Sequence, residues 1–570
     1  MPDGAPAPGD QGGGLPERLD RRRFLRVATG ALGGAASGVL GEAAAGASTG
    51  HHDGGRRRST RSGRPPAVSS ATLATGVVVP TARWLLEENQ RPGTTAWVVT
   101  GTQAPHAIEG FASQVSAVAG DEVHVFVNST ARSMHVEAYR MGWYQGTGGR
   151  LIHRSGTVGV GSQPAPTFTP GVNTIECAWQ PTLTLTIDDS WPPGCYLLKL
   201  VGDGGEQQYV PLTVRDDAST AAYLLQNSVT TWQAYNLWGG YSLYYGATPS
   251  GGQDFANRAR IVSFDRPYPQ SWAQGCADFL GNEFPVLYQM EQLGLDMTYW
   301  TDVDFHRSPG ELLRHKAMFS LGHDEYWSLE MRNGALAAVA KGVNFGFLGA
   351  NACYRQIRLQ PSPIGPDRMQ VCYKDAAADP MMGVDDAVVT GPEWDSPPTS
   401  WPESILIGSM YQSVGADDDL VIVDAGHWLL DGCPVRAGQH LIKVVQGEYD
   451  RYVPSLAGPT DVDVVAHSPI AGQGNWSDIT YYTSSGGGGV VATGMASFVN
   501  KLSNTTAFPS NVVPAPLPGV TDILLRMMEN VYGTFGHGPA ADIHESTGNW
   551  RTVYQGAAAR APSAPSTPSA

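Results

Sequence analysis

Ala317-Met318-Phe319-Ser320-Leu321-Gly322-His323-Asp324-Glu325-Tyr326-Trp327 joins a short apolar run to a loop of ionisable side chains. The run has the length and composition of a buried strand. A helix-like segment starts at Ser328 and stops near Gly342. Val343-Asn344-Phe345-Gly346-Phe347-Leu348 is then a further buried strand. Strand, helix and strand in that order need a crossover, which predicts a parallel sheet. In such sheets ligands bind beyond the carboxyl ends of the strands. His323, Asp324, Glu325 and Tyr326 place an imidazole, two carboxylates and a phenol there, so the loop reads as a site. Asp324 is assigned to the N-terminus of the following helix, where a carboxylate meets free N–H groups.

Upstream, residues 221–225 read as a strand and residues 283–293 as a helix stopped by Gly294. Residues 297–300 form the next strand. Residues 355–515 hold short strands and long loops that elaborate the same domain, which spans 216–555. Residues 105–215 look all-β. Glu122-Val123-His124-Val125-Phe126-Val127 and Thr182-Leu183-Thr184-Leu185-Thr186-Ile187 alternate in polarity, with closely spaced turns. That pattern predicts an immunoglobulin-like β-sandwich.

The two ends read differently. Asp20-Arg21-Arg22-Arg23-Phe24-Leu25-Arg26, a weakly apolar stretch and Ala45-Gly46-Ala47 make residues 1–47 a twin-arginine export signal. The expected location is therefore secreted or extracytoplasmic. Residues 48–75 read as a disordered linker and 556–570 as a disordered tail. The net charge of −16 excludes a nucleic-acid partner, and Arg56-Arg57-Arg58 belongs to the linker. No later apolar run approaches the ~20 residues of a membrane span. The six cysteines lack the CxxC spacing of zinc sites. Cys177 and Cys195 lie on neighbouring predicted strands and are candidates for a disulfide.

Two further segments are expected at the same sheet edge. Gly349-Ala350-Asn351-Ala352-Cys353-Tyr354-Arg355 follows the adjacent strand, and Tyr235 follows the first strand of the domain. His440-Leu441-Ile442-Lys443-Val444-Val445 is a strand that leads to Gly447-Glu448-Tyr449-Asp450-Arg451. Glu448 either reaches the site or pairs with Arg451. Cys353 is crowded by Tyr354 and Arg355, unlike a nucleophile on a sharp elbow, so it reads as packed or disulfide-bonded.

These landmarks, 322–327, 349–354 and 447–451, resemble the large (beta) subunit of N,N-dimethylformamidase. The resemblance implies an immunoglobulin-like domain followed by a glutamine-amidotransferase-like, flavodoxin-like parallel-sheet domain. It also implies a mononuclear, ferric iron held by two tyrosines and a glutamate, and hydrolysis of a small amide. By motif position Tyr326 is one tyrosine ligand and Glu448 the glutamate. The second tyrosine is Tyr354 or Tyr373. Phenolate and carboxylate are hard donors suited to a hard ion. Glu325 and His323, beside Tyr326, are the residues expected to move the proton that the leaving amine needs. The family's late catalytic acid has no counterpart in residues 478–492 other than Asp478. A small-subunit partner or a homo-oligomer is implied as well.

Two other functions fit the same residues. A secreted non-catalytic module would bind carbohydrate or a cell surface through exposed Trp232, Trp238, Tyr241, Tyr244 and Tyr245. A thiol enzyme would use Cys353.

Overall fold

The computed structural model describes residues 68–101 and 103–560. The expected export signal, the basic run at Arg56 and the last ten residues of the tail lie outside the described residues. Two boundaries are corrected. Val68–Thr72 is a strand paired antiparallel with Val78–Ala82, so residues 68–72 are not disordered linker. Gly76, at φ +87, makes the turn between them, in a conformation that suits glycine. At the other end a helix spans Trp550–Arg560 and runs into the expected tail. Ala557, Ala558 and Ala559 are strong helix formers.

The longer strands of the all-β part are β1 Ile108–Ala112, β2 Glu122–Ser129, β3 Ser133–Met141, β4 Gly149–Arg154, β5 Leu183–Thr186, β6 Gly194–Gly202 and β7 Gln207–Val214. They form two antiparallel sheets, ordered β5-β2-β1 and β7-β6-β3-β4, the latter edged by Ser116–Ala117. Alternation sends every second side chain inward. Val123, Val125 and Val127 of β2 thus meet Val136, Ala138, Leu198 and Leu200 in one core. Burying each such side chain contributes about 1.5–3 kcal/mol, except alanine, which adds less. The expected disulfide is absent: Cys177 and Cys195 are both free and buried. This apolar core, and no Cys177–Cys195 bridge, holds the two sheets together.

The second part is a mixed sheet of seven strands. Its parallel members are β8 Tyr223–Asn227, β9 Met297–Thr301, β10 Ala317–Leu321, β12 Asn344–Leu348 and β18 Gly489–Ala492. Antiparallel β16 Asp463–Ile470 and β17 Asn475–Thr483 extend it, giving the order β9-β8-β10-β12-β18-β17-β16. The chain is a strand-rich mixture of helix and sheet. Between β8 and β9 run α1 Val229–Tyr235 and α2 Phe284–Gln292. Gly294, at φ +65, follows α2.

After β10 the chain does not enter the helix directly. Tyr326–Ser328 forms a short strand, β11, parallel to β13 Arg355–Gln360, and α3 spans Leu329–Val339. Ser328 caps α3, its hydroxyl accepting from the Met331 amide at 3.3 Å. Asp324 is therefore not the cap.

Buried polar contacts lock the two parts together. Arg140 of β3 and Glu291 of α2 form a bidentate pair at 2.7 and 2.9 Å, with neither side chain exposed. Tyr299 Oη donates to the same carboxylate at 2.7 Å.

Candidate functional site

The ends of β10 and β12 approach so closely that only glycine fits. A Cβ on Gly349 would overlap the Gly322 carbonyl oxygen. Gly322 itself sits at φ +61. The two loops then bond directly. Cys353 N–H donates to Asp324 O at 2.8 Å, and the amides of Tyr354 and Arg355 donate to Glu325 O at 3.0 and 2.8 Å. Glu448 lies within β15 His440–Arg451, beside Gly447 at φ +79, and not in a loop after a shorter strand. Asn351 N–H donates to Asp450 Oδ1 at 2.8 Å, which fastens the second loop to β15.

His323, Glu325 and Glu448 meet. His323 Nε2 lies 2.8 Å from Glu448 Oε2 and 3.4 Å from Glu325 Oε2. Glu448 therefore contacts His323 and not Arg451, the other partner open to it from sequence. Asn351 Nδ2 donates to Glu448 Oε2 at 3.1 Å and lies 3.2 Å from His323 Nε2. Glu325 is fully buried and accepts from Tyr235 Oη at 2.7 Å, Tyr244 Oη at 2.5 Å and Arg355 Nε at 3.2 Å. The Tyr235 ring touches both the His323 ring, at 5.4 Å, and the Tyr326 ring, at 6.4 Å.

The electrostatics follow from these contacts. Burial opposes a charge on His323, but Glu448 and Glu325 outweigh it and hold the imidazole well above its ordinary value. Burial likewise pushes Glu325 up. Hydrogen bonding and charge from His323, with help from Lys374 and Arg355, hold it well below the usual carboxylate range. Burial and the Glu325 charge raise the phenols of Tyr235 and Tyr244, which stay protonated and donate. The cluster sets the His323 imidazole between the side chains of Glu448 and Glu325.

Iron asks for hard oxygen donors, and the expected ligands differ in fit. Tyr326 is fully buried and its Oη has no hydrogen-bond partner. Leaving such a hydroxyl unpaired costs about 1–3 kcal/mol, which a cation would relieve. Burial and Glu325 hold this phenol well above its usual range, so only a strong cation makes it a phenolate. Glu448 supplies a carboxylate. Tyr354 is committed elsewhere, its Oη donating to Glu393 Oε1 at 3.1 Å. Burial raises the Tyr373 phenol, and the other charges acting on it are those of Asp379, Arg358 and Arg260, not Glu448. Among the described residues no group of three or more His, Cys, Asp and Glu is placed to hold a metal ion. A centre here must draw on phenols. The donor chemistry of Tyr326 and Glu448 fits a hard cation.

Other residues take structural roles. Asp324 accepts from Ser320 Oγ at 2.6 Å and Gln226 Nε2 at 2.9 Å. The same Gln226 amide donates to Asp302 at 2.5 Å. Burial raises both acids, and the Asp324 charge raises Asp302 further. Asp478 is buried and accepts from Tyr554 Oη at 2.6 Å, with His467 Nδ1 also at 2.6 Å. Cys353 is free and fully buried, and burial pushes its thiol up to about 12, which disarms it as a nucleophile. The expected aromatic surface is also corrected. Trp232 and Trp238 are buried, Tyr241 and Tyr244 are partly buried, and of the five only Tyr245 is exposed. Trp232 Nε1–H donates to Glu283 and Trp238 Nε1–H to Glu109.

Tyr244, Asn351 and Arg355 were missed as members of the site. Asn351 and Arg355 stand in the quoted second loop, but nothing in their spacing sets them apart. Tyr244 comes from an irregular segment with no periodic signal. No helix among the described residues is long and apolar enough to cross a membrane.

A family described as "N,N-dimethylformamidase beta subunit-like, C-terminal" matches residues 135–510. No curated protein matches the chain. Among solved structures, a Paenibacillus sp. cycloisomaltooligosaccharide glucanotransferase complexed with cycloisomaltoheptaose aligns over 68% of each chain at 9% identity. Its TM-score of 0.15 carries no argument.

Proposed function

We propose, from the premise that the chain belongs to the N,N-dimethylformamidase beta subunit-like family, that it hydrolyses the C–N bond of a small amide. The observation that carries this reading is His323 Nε2 set between Glu448 and Glu325 at 2.8 and 3.4 Å. Two strand orders support it. The five parallel strands, numbered along the chain, run 2-1-3-4-5 across the sheet. That is the flavodoxin-like order, whose ligands bind between its first and third strands. Those strands are β8 and β10, which feed Tyr235 and His323. The two antiparallel sheets before them are read as an immunoglobulin-like sandwich.

The reaction adds water across the amide and yields a carboxylic acid and an amine. His323 carries a proton at Nε2 and delivers it to the amide nitrogen as the C–N bond breaks. Glu325, fixed by Tyr235, Tyr244 and Arg355, keeps that imidazole charged. Asn351 orients Glu448 beside it. Tyr326 and Glu448 are the residues proposed to hold iron. Tyr354 joins them only if its phenol leaves Glu393. Bound iron would polarise the carbonyl and lower the pKa of water.

Support for iron comes from the donor set and from the family. The test is metal analysis of purified protein together with its visible spectrum. Stoichiometric iron with a phenolate-to-iron band, lost in Tyr326→Phe, is the expected result. A folded protein that binds no iron and releases no amine from small amides would sink the reading.

Export by the twin-arginine route remains part of the proposal. N-terminal sequencing of mature protein starting at Ser48 supports it, and an intact leader in the extracytoplasmic fraction contradicts it. The family's description as a beta subunit supports a subunit partner, which co-purification from the native host tests.

A further inference from the structure

Five phenols surround the Glu325–Glu448 cluster, and three of them donate to a carboxylate. Tyr235 and Tyr244 donate to Glu325, and Tyr354 donates to Glu393. Tyr326 Oη is fully buried without a partner and is the proposed iron ligand. The fifth is Tyr411. It is partly buried, and its hydroxyl bonds to no described residue.

Tyr411 is held firmly for a residue with a free hydroxyl. It lies on β14 Met410–Val421, opposite Asp450 and so two positions from Glu448 on the paired strand. Its ring packs on Tyr354 at 4.9 Å, and the Arg355 guanidinium packs on the Tyr354 ring at 4.6 Å. Arg355 is in turn fixed by Glu325. The Tyr411 amide donates to Glu403 Oε1 at 3.2 Å. The pairing register slips between Tyr411 and Ser413, leaving Gln412 as an extra residue. Bulges of this kind re-aim side chains beside active sites. Gln412 Nε2 donates to the carbonyls of Met410 and Tyr411 at 3.0 and 2.9 Å, which stiffens the bulge. Tyr411 also lies within the electrostatic reach of the cluster. Burial, then the charges of Glu448, Glu325 and Asp450, raise its phenol above the ordinary value, so it remains an O–H donor.

A firmly held donor, paired in register with Asp450 and two positions from Glu448, calls for a ligand that brings an acceptor. We propose that Tyr411 is a substrate-binding residue whose phenolic O–H donates to the amide oxygen. The Tyr354 ring, tilted 52° against it, holds the Tyr411 ring in place. The inference rests on the proposed amide substrate. It names the residue that recognises that substrate, which sequence patterning did not single out.

The test separates recognition from turnover. Binding of N,N-dimethylacetamide to full-length protein is measured by ligand-observed NMR for wild type, Tyr411→Phe and Tyr411→Ala. Amine release from the same amide is measured in parallel. The inference expects Tyr411→Phe to weaken binding about tenfold at unchanged melting temperature, since one hydrogen bond is lost. Tyr411→Ala should weaken it further by removing the ring as well as the hydroxyl. Weakened binding with no amine release in wild type supports the role of Tyr411 while counting against hydrolysis. Equal affinity of wild type and Tyr411→Phe, or no binding to wild type, overturns the inference.

Discussion

His323 Nε2 and Glu448 Oε2 are 2.8 Å apart, although one follows β10 and the other lies within β15. The contact forms because Gly322 and Gly349 let two loops touch and Asp450 ties the second loop to β15. It brings an acidic and a basic group within a proton's reach. Replacing His323 with Gln keeps the size and a hydrogen bond but removes the titrating group. Amine release per site should fall about 10²–10⁴-fold, the range for loss of an acid–base group. Circular dichroism should be unchanged. Full activity in His323→Gln would remove the proposed proton donor.

Iron loading offers a check independent of turnover. Tyr326→Phe removes only the orphaned Oη. Bound iron should drop and the visible band should vanish, while stability stays level or rises because an unpaired buried hydroxyl is gone. A band that persists in Tyr326→Phe would assign the phenolate to another tyrosine.

Arg140 and Glu291 bear on stability alone. Both are fully buried, so cutting one partner strands the other charge. Glu291→Gln should cost about 3–5 kcal/mol in denaturant unfolding. A loss below about 1 kcal/mol would mean that water reaches Arg140.

How much of this could be read from the chain is clearest at three residues. The strand before Gly322 was legible because a five-residue run, apolar but for Ser320, ends at a glycine and a polar loop. Glu448 was legible as a partner because its strand leads toward the same edge, although the strand runs through it. Asp324 was misread. A carboxylate shortly before a helix looks like a cap, but β11 intervenes and Ser328 takes that place. Tyr244 and Tyr411 were beyond reach. One comes from an irregular segment and the other is aimed by a bulge, and neither leaves a periodic trace.

Glu403 makes stability depend on pH. It is almost fully buried, and burial raises its carboxyl to about 8. In the unfolded chain it returns to the ordinary value near 4.5. A raised acid binds its proton more tightly in the folded state. Its contribution is therefore complete below about 4.5 and is lost as pH rises toward 8. The melting temperature of wild type relative to Glu403→Gln should fall between pH 5 and 8. A constant difference would mean that Glu403 is ionised in the folded protein.

The most direct measurement is amine release from a panel of small formamides and acetamides by purified, iron-loaded protein, with Glu448→Gln beside it. The account predicts release by wild type and a loss of about 10³-fold or more in Glu448→Gln, which keeps its contact with Asn351 but not its charge. Folded, iron-loaded wild type that releases no amine, or Glu448→Gln that works as well as wild type, would contradict it.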